Sequence, residues 1–177
     1  MGAGLSATAA FGIALDPLIG AGVWVSAAWD RHDLWSPEVA LSFTHTQRDG
    51  VAELRGDADF ELNALSLGLC PLRVGSDVVQ VRPCAVGSIG ELASDGHATF
   101  EAAGSTRPWA DLGGALEVIG RIGIVELRAV AGMTTPLVRD GFRFGPACSD
   151  AACEVDVFHR VAPVIWSGAV GAGLSVW

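Results

Sequence analysis

Apolar residues recur at every second position through most of this chain, and the residues between them are small or polar. In the first segment Ala3, Leu5, Ala7, Ala9, Phe11, Ile13 and Leu15 share one parity, and Gly4, Ser6, Thr8, Ala10 and Gly12 share the other. Successive side chains of a strand point to opposite faces, so this period predicts a strand with one apolar face. Asp16-Pro17 reads as a turn. Ile19, Ala21, Val23, Val25, Ala27 and Trp29 then alternate with Gly20, Gly22, Trp24, Ser26 and Ala28. Val39, Leu41 and Phe43 oppose Glu38, Ala40, Ser42, Thr44, Thr46 and Arg48. Leu65, Leu67 and Leu69 share a face with Val79, Val81, Ala85 and Ile89 across a hairpin centred on Gly75-Ser76-Asp77. Ser66, Gly68, Cys70, Arg82, Cys84 and Ser88 take the opposite face. Three more segments place Leu112, Leu116 and Val118, then Val125 to Met133, then Val164 to Val176 on apolar faces. Gly120-Arg121 is expected to turn the chain between the first two of these. The pattern predicts about eight strands, each long enough to cross a bilayer when tilted.

Alternation alone also fits a soluble, lipocalin-like ligand-binding barrel. The second face separates the two. A soluble barrel covers its exterior with charged and long polar side chains. Here the non-apolar face is mostly Gly, Ala, Ser and Thr, which suits the narrow interior of an eight-stranded barrel. The apolar face then meets lipid, and closure satisfies every backbone polar group there. The expected fold is all-β: an eight-stranded antiparallel up-and-down transmembrane β-barrel, with residues 1–177 as a single domain. Glu38, Arg48, Arg82, Glu117, Glu126 and Arg128 all fall on the inward parity. Both signs are present, so these residues are expected to form an ion-paired lumen network, because an unpaired buried ion costs several kcal/mol. A filled lumen leaves no open channel.

Composition agrees. Mean hydropathy is +0.41, yet no stretch approaches the roughly 20 unbroken apolar residues of a membrane helix. The 23 glycines disfavour helices generally. A net charge of −9 argues against nucleic acid as a partner. Tyr is absent, so interfacial aromatics must be Trp; Trp29, Trp35 and Trp177 at inner ends and Trp109 and Trp166 at outer ends are the expected belt. Met1-Gly2-Ala3-Gly4 opens straight into patterned sequence, as expected for the mature portion of an exported protein with an added Met.

An even strand count puts both termini on the inner side, with the short turns near 75 and 120. Connections at 92–107 and 135–160 are expected outside, where Asp95, Glu101, Asp140, Asp150, Glu154 and Asp156 make acidic loops. The first half fits less simply: Asp16-Pro17 is a very short outer loop, and 30–36 is a longer inner turn. Four cysteines in an exported chain predict two disulfides. Cys70 and Cys84 are equidistant from Asp77, so they oppose each other directly across the hairpin. Cys148 and Cys153 would close a small outer loop. A metal site would need more ligands than this loop offers, with His159 the nearest histidine.

These features resemble the eight-stranded outer-membrane barrels, the group that includes the transmembrane domain of outer-membrane protein A. The resemblance covers nearly the whole chain. The runs CPLR (Cys70 to Arg73), VRPC (Val81 to Cys84) and HRVAP (His159 to Pro163) also resemble barrel proteins of high-GC Gram-negative bacteria. It implies an outer-membrane location, a monomer, and lipid or detergent as surroundings. Such barrels commonly end on a lipid-facing aromatic, whereas Trp177 has the parity of Ser175 and Gly173. The function expected is a non-enzymatic membrane anchor or surface scaffold whose acidic loops contact an extracellular partner. The alternative is a lipid-modifying deacylase or acyltransferase. That chemistry needs a nucleophile, a histidine base and an orienting acid. His45 and His159 are the candidates, His32 and His97 lie in connections, and no serine has an evident partner. No Gly-x-Ser-x-Gly, His-Glu-x-x-His or phosphate loop occurs, so no cofactor or metal is expected.

Overall fold

The structure is a computed structural model that describes residues 1–29, 34–53, 56–97, 104–138, 141–143 and 157–176. Eight long strands follow one another: β1 (Gly2–Phe11), β2 (Leu18–Ala28), β3 (Trp35–Glu53), β4 (Gly56–Leu72), β5 (Val79–His97), β6 (Gly104–Ile122), β7 (Val125–Pro136) and β8 (Ile165–Ser175). Each pairs antiparallel with its sequence neighbours, and β8 pairs with β1 from Gly2↔Ser175 to Phe11↔Trp166. The sheet therefore closes as an all-β, eight-stranded up-and-down barrel, and the described residues contain no helix. Val74–Gly75 adds two rungs beside β5, and Gly141–Arg143 pairs with Val157–Arg160 as a separate two-stranded sheet.

Alternation follows the expected parity. Leu5, Val23, Val25, Leu41, Leu67, Leu116, Leu127, Val170 and Leu174 all lie exposed on the outer wall. The wall is narrow enough to demand glycine in places: a Cβ on Gly20 would fall 1.8 Å from the carbonyl oxygen of His45 on the next strand.

Three boundaries differ from the sequence reading. The chain turns at Gly123-Ile124, not at Gly120-Arg121, which stay in the ladder opposite Leu127 and Glu126. The reversal sits at Gly123 because its φ of 62° is open to glycine and strained for other residues. The outer connection expected at 92–107 is mostly strand, since β5 runs to His97 and β6 starts at Gly104. Ile13, expected to face lipid, is buried, because β1 ends at Phe11 and the short loop 12–17 folds over the barrel mouth. Backbone ties that loop down, with the Ala162 N–H donating to the Gly12 carbonyl at 2.9 Å.

Polarity inverts along the longer strands. Phe43, Leu65, Ile89 and Ala110 form one register row on the outer wall. The next outward residues are His45, Asn63, Glu91 and Pro108, and Gln47 and Glu61 lie beyond. Inside the same extension the buried residues are mostly apolar, with Val51, Ala58, Phe60, Leu62 and Leu92 outnumbering Thr46 and Ser94. They pack with Ala10, Ile13, Ala14, Leu18, Trp109, Val161 and Ile165 into one cluster. Below the row the wall is apolar and the interior polar; above it the wall is polar and the interior apolar. The barrel mouth is thus corked by an ordinary hydrophobic core.

Candidate functional site

The lumen holds two unlike halves. Toward the end that carries the termini, strand parity aims six charges inward from four strands. Arg128 on β7 is the hub: its Nη1 donates to Glu117 Oε1 at 2.5 Å, and its Nη2 donates to Glu38 Oε1 and Glu126 Oε1 at 2.8 Å each. Its guanidinium also stacks 4.1 Å from the ring centre of Trp24. Arg82 lies 3.3 Å from Glu38 Oε2 and donates from Nη1 to the Ser36 carbonyl at 2.7 Å. Arg121 donates to Glu126 Oε2 at 3.0 Å. Arg82 and Glu117 are direct cross-strand partners, as are Arg121 and Glu126. Three carboxylates thus meet three guanidiniums, and the cluster is neutral as a whole.

Of the residues expected in this network, Glu38, Arg82, Glu117, Glu126 and Arg128 come together and Arg48 does not. Arg48 sits near the outer mouth, half-exposed, paired with Asp16 at 3.1 Å. It shares the inward parity, but it lies ten residues up the strand from Glu38, which puts it at the other end of the barrel. Arg121 joins the network because the ladder continues past the expected turn; its parity with Glu117 is the signal in the sequence. Trp109, expected in the interfacial belt, is buried with its indole N–H donating to Asp111 at 2.7 Å. It shares inward parity with Asp111, so it faces the lumen instead of the lipid boundary. Trp29 and Trp35 are exposed at the inner end and Trp166 at the outer end. Trp177 lies outside the described residues.

Cys70 and Cys84 form a disulfide on the lumen face, with Cα atoms 4.1 Å apart, one rung beyond Leu69↔Ala85. Their sulfurs lie near Glu117, but sulfurs joined in a disulfide are not thiolate ligands, so the trio is no metal site. Cys148 and Cys153 lie outside the described residues. Replacing both Cys70 and Cys84 with alanine is expected to leave the barrel able to close, since the flanking ladder persists. It should lower unfolding stability by about 3 kcal/mol, the loop-closure value for a loop of this size. Urea unfolding followed by Trp fluorescence measures it; an unchanged midpoint would contradict this.

Between network and cork lies a chamber of about 210 Å³, with Trp24, Arg128 and Glu117 toward one end and Trp109, Asp111 and Ile13 toward the other. Its wall is mostly Ser, Thr, Ala and Gly. On the outer surface His45 shares a 2.8 Å hydrogen bond between Nδ1 and Asn63 Oδ1, and Asn63 donates to Glu61 at 2.6 Å. No hydroxyl or thiol is hydrogen-bonded to His45 among the described residues, so that cluster lacks a nucleophile. Asp95 is exposed on β5. Glu101, Asp140, Asp150, Glu154, Asp156 and His32 lie outside the described residues, and His97 and His159 are described as strand backbone only.

No family model matches the chain, and no curated protein matches it. Among solved structures it is similar to Ail, the attachment invasion locus protein of Yersinia pestis. The identity is 13%, 98% of this chain and 94% of Ail are covered, and the TM-score is 0.55. The structure of Ail in complex with the heparin analogue sucrose octasulfate matches at 11% identity over the same shares, with a TM-score of 0.56. The N-terminal β-barrel domain of OprF from Pseudomonas aeruginosa is a further match, at 12% identity, 98% and 96% coverage and a TM-score of 0.47. At such identities the likeness is one of fold, that of small eight-stranded outer-membrane barrels.

Proposed function

We propose that the chain is an outer-membrane-integral, non-enzymatic barrel that anchors and displays an acidic outer surface. The observation that carries this is the joint inversion of polarity: an apolar wall around a charged, ion-paired interior, changing to a polar wall around an apolar core beyond the Phe43–Leu65–Ile89 row. A soluble ligand-binding barrel has no use for the first arrangement, and lipid has no place for the second. Closure leaves no unpaired strand edge, which favours a monomer.

Asp49, Glu61, Glu91 and Asp95 are exposed on the outer extension. They suit a cationic extracellular partner and repel polyanions, so the sulfated ligand of Ail is a poor guide here. The neutral network and the cork narrow the lumen at both ends, which argues against an open conduit.

Refolding into detergent should give a heat-modifiable band on a gel. A detergent-independent, water-soluble monomer would overturn the membrane reading. Lipid A mass spectra from cells expressing the intact protein should match those of cells without it. A mass change abolished by His45→Ala would overturn the non-enzymatic one.

A further inference from the structure

Three charged residues line the chamber: Glu117 and Arg128 pair with each other, and Asp111 stands apart from them. Asp111 is buried, and its carboxylate accepts hydrogen bonds from Trp109 Nε1 at 2.7 Å and Ser88 Oγ at 3.0 Å, with the Thr134 hydroxyl as third partner. All three are neutral, and no cation pairs with Asp111 among the described residues. The donors are aligned: Ser66 Oγ donates to Ser88 at 3.1 Å, and Ser88 donates onward. Trp24, Ser42, Ser66, Ser88 and Asp111 form one register row across five strands.

A second observation points into the same space. The indole N–H of Trp24, 5% exposed, and the hydroxyl of Thr46, 3% exposed, have no hydrogen-bond partner among the described residues, and both line the same chamber as Asp111. A buried donor left unmade is costly, so the chamber's contents must accept from Trp24. A single positive charge in the same chamber would answer the Asp111 carboxylate, whose burial without a counter-charge is costly as well.

We propose that the chamber holds one hydrated monovalent cation bound at Asp111. Carboxylate and hydroxyl oxygens are the ligands hard cations choose. The volume exceeds that of a bare ion and leaves room for several waters, which accept from Trp24 and bridge to Thr46. A divalent ion would leave one positive charge in excess. An anion would add to the negative charge already there.

Thallium(I), an NMR-visible stand-in for potassium, tests this on the refolded barrel in detergent, with N-methylglucamine chloride holding ionic strength constant. The expected result is saturable binding of one thallium per barrel, displaced by sodium or potassium. Asp111→Asn should abolish it, and Asp77→Asn, at an exposed turn, should not. Thr134→Val should weaken it by about tenfold, the worth of one hydrogen bond to a charged group, and serves if Asp111→Asn does not fold. The heat-modifiable shift reports folding for each variant separately. No saturable binding by the folded wild type, or binding unchanged in folded Asp111→Asn, overturns the proposal.

Discussion

Replacing Arg128 with leucine is expected to destabilise the barrel by about 3–5 kcal/mol, the cost of breaking a buried ion pair by removing one partner. The loss is large because Arg128, itself buried, answers three buried carboxylates, from Glu38, Glu117 and Glu126. Leucine also gives up the stacking on Trp24. The matched control is Arg48→Leu, whose single pair with Asp16 is nearly half-exposed and worth about 0–1 kcal/mol. Adding Glu117→Gln to Arg128→Leu restores the charge balance and should recover part of the loss. Urea unfolding in lipid vesicles, followed by Trp fluorescence, orders the variants. Equal losses from Arg128→Leu and Arg48→Leu would contradict the hub.

The second large effect maps the membrane. Leu67 lies on the outer wall, two residues from the last apolar row and five from the inner end of β4. Leu67→Arg should cost about 2–4 kcal/mol in a bilayer, the range for a lipid-facing arginine near the midplane. Gln47 is also on the outer wall but above the row, so Gln47→Arg should cost about 0–1 kcal/mol. A soluble barrel would reverse the sign, because arginine in place of an exposed leucine improves its surface. Refolding yield into vesicles and unfolding midpoints distinguish the cases. Similar small effects for both substitutions would remove the bilayer from the argument.

Both experiments depend on features of unequal legibility. Strand parity is local: it follows from a period of two and needs no knowledge of neighbours. It placed Leu67 on the wall and Glu38, Arg82, Glu117, Glu126 and Arg128 on the inner face. The hairpin register around Asp77 is equally local, which is why the spacing of Cys70 and Cys84 alone pairs them.

Parity does not state what surrounds a face at a given height. Phe60, Leu62 and Leu92 are apolar on the inward parity, where a uniform lumen would be polar, so alternation fades there although the strands continue. The same blindness put Trp109 in a belt and Arg48 in a network at the far end of the barrel. Ile13 continues the first strand's outward parity perfectly, yet the chain leaves the ladder at Phe11 and buries it.

By itself, then, the order of residues determined the fold class, the faces, one disulfide register and five of the six charges in the lumen network, because each depends on neighbours along a strand. Only the closed barrel decided where lipid gives way to water, which charges meet at Arg128, and that Asp111 stands without a counter-charge among the described residues. Those depend on height along the barrel and on strands far apart in the chain, and closure alone brings them into one space.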